Sequence, residues 1–333
     1  MKGSGGDTLA PEAHDPTSLI AAPSTEWKLE DVPLRFEVGK IRLGSAKLQL
    51  FRRSASLDEA PLDGPEIPAP PPDIEGAMGY VVWSHPVVAP IPAIRWREQA
   101  IVYVPRQYRR FLVSLSGDYD VYFARFSAKT RSTLKRKLRR FSDASGAPID
   151  ARVYRSPTEM TEFLTLAREV SAKSYQERLL DKGLPDGACF SAAVQRLAEK
   201  DSLRGYLLFF RGKPISYLFC PISDGIVLYD YVGYDPAHAA LSPGTVLYLQ
   251  ALQSLFAERR HRYFDFTEGE GEHKRHLATH EVLCADIFVV SRRLPILATI
   301  LLHRAHNASV GAFASLVDRL GIGARLRRLV RSM

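Results

Sequence analysis

At 333 residues, 46% of them hydrophobic and 25% charged, the chain has the make-up of a globular protein, with length for one large domain or two smaller ones. A formal net charge of +8 points to an anionic partner (a nucleotide, nucleic acid or lipid surface) without choosing among them. Cys189, Cys220 and Cys284 are too far apart for a disulfide framework or a CxxC metal site, the first residues lack a signal-peptide core, and no apolar run approaches the ~20 residues that span a bilayer. The expectation is a cytoplasmic protein with reduced thiols.

Residues 1–26 are rich in Gly, Ala, Pro and Ser and read as a disordered tail. Residues 27–145 form an N-terminal lobe. In it, Leu34 to Phe51 alternates loosely and predicts a strand pair. The 54–76 stretch, with Pro68, Pro70, Pro71 and Pro72, is a surface loop. Tyr80 to Trp83 and Ala100 to Val104 are short strands, and Gln107 to Leu115 is a predicted helix. Ser127 to Phe141 is a second helix, with Leu134, Leu138 and Phe141 on one stripe. Lys129, Arg131, Lys135, Arg136, Lys137, Arg139 and Arg140 cover the remainder. Such a face is either simply solvated or an anion-binding surface beside an active site.

From 146 to 291 the order of elements carries more information. A strand (Ile149 to Tyr154) precedes two helices (Thr158 to Ser174, Ala188 to Lys200) and three strands (Leu203 to Phe210, Ile215 to Ile222, Ile226 to Val232). Arg211 to Pro214 and Ser223 to Gly225 are hairpin turns, so the three strands pair antiparallel. Ser242-Pro243-Gly244-Thr245 then starts a helix, with Ser242 as N-cap and Pro243 at the first helical position. That helix end, beside a sheet, is either an ordinary capped start or a site where Gly244 and Thr245 present N–H groups and a positive dipole to a phosphate. A strand (Arg262 to Thr267), a short helix (Gly271 to Ala278) and a last strand (Val282 to Val290) complete a β-α-α-β-β-β-α-β-α-β order.

Strict alternation places Asp230 on one strand face with Leu228 and Val232. It is then either a buried carboxylate of raised pKa or half of an ion pair with an arginine. Tyr229 and Tyr231 share the opposite face, where they line a substrate cleft or pack as aromatics. Asp265, inside the apolar strand Tyr263 to Phe266, must be paired, protonated or near water, with Lys274 or Arg131 the preferred partners. Glu268, Glu270 and Glu272 cluster in the next loop, where one is a candidate base and a solvated acidic loop is the plain alternative. His273, His276 and His280 have no carboxylate or Cys at convincing spacing, and no metal is expected.

This order resembles the GNAT acyltransferase superfamily, in particular the CelD-like acetyltransferases of cellulose and exopolysaccharide synthesis, and is similar to the Fem-type peptidoglycan aminoacyltransferases. The matching residues are Thr130-Arg131 with its basic helix, Ser174-Tyr175-Gln176, Gly233 to Pro236, Leu241 to Leu247, Phe264-Asp265-Phe266, and Gly269-Glu270 with Lys274. The helix start reads Ser-Pro-Gly-Thr in place of the family's Arg/Gln-x-x-Gly-x-Gly/Ala loop, and His273-Lys274 stands where a Tyr-Lys pair is usual. The resemblance implies an α/β (α+β) GNAT fold, a mixed sheet flanked by helices, with a second degenerate lobe of related shape at the N-terminal side. It implies acetyl-CoA as donor at Ser242, Gly244, Thr245 and Val246, with Asp230, Asp265, Glu268, Glu270 and Lys274 in catalysis. Arg131, Tyr175, Gln176, Tyr229 and Tyr231 would hold an anionic or sugar-nucleotide acceptor. Nucleic acid enters only under the Fem-like alternative, as tRNA; a non-catalytic basic module is the other alternative.

Residues 292–333 are apolar from Leu294 to Leu302 and then basic, which predicts amphipathic helices. They either pack back on the domain or contact an anionic membrane or a polysaccharide-synthesis complex.

Overall fold

The computed structural model describes residues 25–38, 41–63, 66–70, 78–174, 183–267 and 272–319. These separate into two units by proximity along the fold. One holds Ser114–Asp265; the other is assembled from Pro23–Val113 and Phe266–Met333, so its chain is interrupted by the first. The basic helix 128–145, placed with the 27–145 lobe by sequence, clusters with the first unit.

In the interrupted unit, β1 (Lys28–Val38) and β2 (Ile41–Ser54) form an antiparallel hairpin. β2 runs parallel to β3 (Gly79–Pro86). β12 (His280–Ser291) pairs antiparallel with β3 on one side and β5 (Ala100–Ser114) on the other, and β4 (Ile94–Trp96) edges β5. The sheet is therefore mixed. Val32, Leu34, Leu50, Tyr103 and Phe288 build its core together with Ile296 and Ile300 of the long helix α7 (Leu294–Arg319).

The helix expected over Gln107 to Leu115 is instead the second half of β5, with Tyr108 opposite Cys284 and Phe111 opposite Glu281. The deciding partner is β12, far away in sequence. Half-buried pairing there outweighs a weak local helix signal. The asymmetry also explains Arg106, which pairs with the buried Asp286 at 2.7 Å.

The contiguous unit begins with two helices, α1 (Tyr119–Ala124) and α2 (Ala128–Ser145). The Ser127 side chain caps α2 by accepting from the Thr130 N–H. Leu134 and Phe141 are buried along its apolar stripe. β6 (Asp150–Tyr154), β7 (Leu203–Phe210) and β8 (Lys213–Ser223) then form an antiparallel ladder. The turns after β7 and β8 close at Gly212 (φ +79°) and Gly225 (φ +74°), in a region that favours glycine.

Helices α3 (Pro157–Ser171) and α4 (Ala188–Glu199) cover one face of this ladder, where Phe163 and Phe190 meet Leu207, Tyr217 and Phe219. α3 opens with Ser156 and Glu159 in a reciprocal capping box. The other face carries α5 (Pro243–Glu258), which packs on β7 and β8 below and on α1 and α2 above. Buried on both sides, α5 is apolar nearly all round, as its run from Val246 to Phe256 shows.

The third hairpin strand is broken. β9 (Ile226–Leu228) pairs with β8 and runs parallel to β11 (Tyr263–Asp265), whereas β10 (Tyr231–Tyr234) pairs with β8. Tyr229 and Asp230 lie between the two pieces. A parallel strand pair within an otherwise antiparallel ladder, bridged by a helix, makes this unit mixed as well.

Candidate active site

The break at Tyr229-Asp230 shifts the side-chain phase by one residue, as a bulge does. Tyr229 packs edge-on against Phe264, which itself meets Tyr248 of α5. Tyr231 instead packs against Phe190 and Phe219, on the α3/α4 side. The two tyrosines thus lie on opposite faces, not on the shared face that alternation predicts. Gly233 marks the same phase: a Cβ there would stand 2.5 Å from the Tyr217 ring, so only glycine fits.

Asp230 is the residue left over by the shift. Its N–H donates to the Phe219 carbonyl at 3.3 Å, and the Tyr229 N–H donates to the Asp265 carbonyl at 2.8 Å, the last rung before β10 and β11 part. The Asp230 residue is exposed to solvent, yet protein atoms crowd round its carboxyl. It makes no ion pair among the described residues, so the arginine partnership does not form. Desolvation, with no cation to offset it, pushes its pKa up to about 7.

The start of α5 is the second part of the site. Ser242 was the expected N-cap, but it sits in the left-handed region (φ 54°, ψ 48°) and its side chain caps nothing. The reason lies upstream. A 3₁₀ turn over Pro236–Leu241, capped by Asp235, runs straight into α5, and Ser242 is the joint between the two. From there its carbonyl accepts from the Thr245 and Val246 N–H groups. Pro243 has no N–H, and Gly244, the second residue of α5, has no carbonyl one turn back within the helix for its own N–H. A Cβ on Gly244 would meet nothing nearer than the Tyr234 ring at 3.9 Å. Lys137 of α2 reaches over this end, its Nζ 3.3 Å from Thr245 Oγ1. A first-turn amide, a positive helix end and an ammonium therefore converge, the donor set of a phosphate site.

The α2 surface beside it is unpaired. Lys129, Lys135, Arg136, Arg139 and Arg140 are exposed and form no ion pair or hydrogen bond among the described residues. Arg136, Arg139 and Arg140 line a shallow depression of about 520 Å³ with Asp143 and Ala144. Arg131 behaves differently. Its guanidinium donates to the Ala124 and Phe126 carbonyls, tying α2 to the turn after α1.

The opposite end of α5 holds groups that local sequence patterns do not show. Arg204 is wholly buried and hydrogen-bonded to Glu258 (2.9 Å) and Asp201 (2.6 Å), while Arg155 and His261 also reach Glu258. Hydrogen bonds from His261 and Arg204 outweigh burial and hold the Glu258 carboxyl down to about 2. An arginine inside the apolar run Leu203 to Phe210 was the one signal that a buried acid had to exist.

Of the remaining expected site residues, Asp265 is fully buried at the end of β11. Val246 is buried in the first turn of α5. Lys274 belongs to the interrupted unit, within α6 (Glu272–Leu277), where its ammonium donates to the Phe266 carbonyl at 2.7 Å. Tyr175, Gln176, Glu268 and Glu270 lie outside the described residues, as do residues 1–24. Among the described residues, no group of three or more His, Cys, Asp or Glu side chains is placed to hold a metal. No helix among them is long and apolar enough to cross a membrane.

Residues 128–275 match the family model described as the acetyltransferase (GNAT) domain. This stretch carries a GNAT-type domain. No curated protein matches the sequence. Among solved structures, FemX is similar over 85% of this chain and 91% of its own, with 11% identity and a TM-score of 0.51. At that identity the likeness concerns the fold, and it agrees with the mixed sheet and flanking helices of the GNAT-type domain. L-PGS from Bacillus licheniformis (16% identity, 68% of this chain, 72% of that chain, TM-score 0.42) also aligns. So does a GCN5-related N-acetyltransferase from Kribbella flavida (14% identity, 56% and 59%, TM-score 0.32).

Proposed function

We propose that this GNAT-type domain transfers an acetyl or other acyl group from coenzyme A to an amine or hydroxyl of a sugar or cell-envelope polysaccharide precursor. The observation that carries the reading is the start of α5, which has no side-chain cap and where the Lys137 ammonium lies 3.3 Å from Thr245 Oγ1. The donor's pyrophosphate would bind there, and the thioester would lie toward the parting of β10 and β11. Asp230, titrating near neutral pH, would take the proton as the acceptor's nitrogen or oxygen attacks the thioester carbonyl. The new C–N or C–O bond forms, the C–S bond breaks, and the coenzyme leaves as its thiolate or thiol.

Isothermal titration with acetyl-CoA tests this directly. Micromolar binding is expected, and Gly244→Trp, whose side chain would fill the approach beside Tyr234, should abolish it. Absence of heat at millimolar acetyl-CoA overturns the donor assignment. A screen of sugar amines and hydroxyls then identifies the acceptor.

One observation favours a second reading, a Fem-like transfer from aminoacyl-tRNA: the unpaired Arg136, Arg139 and Arg140 face. Under it, tRNA binds with an affinity that falls steeply with salt, and alanine at those three arginines flattens the slope.

A further inference from the structure

α7 buries one face and leaves the opposite one bare. Ile296 and Ile300 enter the core of the interrupted unit. His303 holds the same side, with Nδ1 2.6 Å from the Tyr103 hydroxyl and Nε2 2.9 Å from the Arg35 carbonyl. On the far side Leu294 (79%), Leu301, Leu302 (64%), Phe313 (62%) and Leu316 are exposed. Their spacing follows the 3.6-residue period, and the small residues Ala298, Ala305, Ser309 and Ala312 stand between them. At 1.5 Å per residue the stripe from Leu294 to Leu316 runs about 33 Å. Five of the twelve exposed large hydrophobic side chains among the described residues lie on this one helix. Contiguous apolar surface on that scale marks an interaction site.

The charges that flank it in sequence say what covers it. From Arg292 to Met333 the sequence holds eight arginines and a single acid, Asp318. Next to the start of the stripe, exposed Trp96 lies under the Arg292 guanidinium, 5.5 Å from the ring centroid to its carbon. An exposed indole, a row of leucines and flanking arginines match the interfacial zone of a bilayer: headgroup, acyl boundary and anionic lipid. A second copy of this chain is a poorer occupant, because it would bring two such arginine sets together. We infer that α7 seats the protein on an anionic lipid surface, lying in the interface plane with the Leu294–Leu316 stripe toward the acyl chains.

Vesicle co-flotation of the full chain tests this. Binding is expected to vesicles of phosphatidylcholine with 30% phosphatidylglycerol (about a third anionic lipid, enough to set a negative surface potential), and not to phosphatidylcholine alone. Leu302→Asp with Phe313→Asp should lower the partition coefficient at least about ten-fold, each change removing a buried apolar side chain. Phe313→Asp alone serves if the double variant loses its far-UV circular dichroism. Alanine at Arg136, Arg139 and Arg140 should leave most of the binding in place. Failure to float with anionic vesicles overturns the proposal. So does equal flotation of the Asp variants, or loss of binding in the α2 variant instead. Light scattering that shows the stripe holding two copies together, with no vesicle binding, would assign the face to self-association.

Discussion

The two ends of α5 are built on opposite plans. At its C-terminal end Glu258 gathers Arg204, Arg155 and His261, and every charge there has a partner. At its N-terminal end the Ser242 side chain caps nothing, and Asp230, nearby in the chain, has no cation partner among the described residues. The same helix therefore has one end closed for stability and one end held open. Under the proposed function the difference separates structural charge, satisfied inside the protein, from charge kept for a substrate.

Four changes sharpen or break that contrast. Glu258→Ala leaves Arg204 buried without its main counter-charge and should cost about 3–5 kcal/mol, read by urea unfolding. The Glu258 pKa is depressed, so its contribution is present above the unfolded value near 4.5 and is lost as the pH falls toward about 2. In wild type the unfolding free energy should decline across that window, and in the alanine variant this component of the decline should vanish.

Asp230→Asn should lower kcat/KM by about 10²–10⁴ if the carboxylate is the base. In wild type, kcat/KM should rise with pH through about 7, as the carboxyl ionises, and level off above. Its raised pKa means the folded state holds the proton more tightly than the unfolded chain. Ionisation thus lowers stability as the pH climbs from the unfolded value near 3.8 to about 7, and the asparagine variant should be no less stable than wild type at pH 8. A variant that loses stability instead would make Asp230 structural and erase the contrast.

Lys137→Ala should weaken acetyl-CoA binding about ten-fold, the order of one partly exposed charge-assisted hydrogen bond. Ser242→Ala should change stability by less than about 0.5 kcal/mol, where a working N-cap would lose about 1. A calorimetric melt decides, and a larger loss would show that this end is closed after all.

Much of the fold could be read from the chain. Pro243 announced α5, Gly212 and Gly225 announced the hairpins, and the Leu134–Phe141 stripe gave α2 its buried side. Three features could not be read, each for a physical reason. The β5 segment after Gln107 is a strand because β12 pairs with it across a long separation. Tyr229 and Tyr231 part company because a one-residue bulge inverts every face assignment after it. Ser242 is left-handed because a 3₁₀ turn runs into it, whereas Ser-Pro-Gly looks like a capped start. Gly244 and Thr245 were picked from the helix start, and they do lie in the first turn of α5. Lys137 was visible only as one of seven bases on α2, since its reach to Thr245 depends on how α2 lies on α5.

The place of β12 between β3 and β5 has a consequence for how the protein is made. Both neighbours leave the ribosome well before His280 to Ser291 exist, and the whole contiguous unit is synthesised in between. For that interval β3 and β5 carry open edges, with Val81, Val102 and Val104 awaiting cover. The unit whose first strands precede the contiguous one is thus completed after it. Its opening strands must be kept from strangers until their own middle strand arrives.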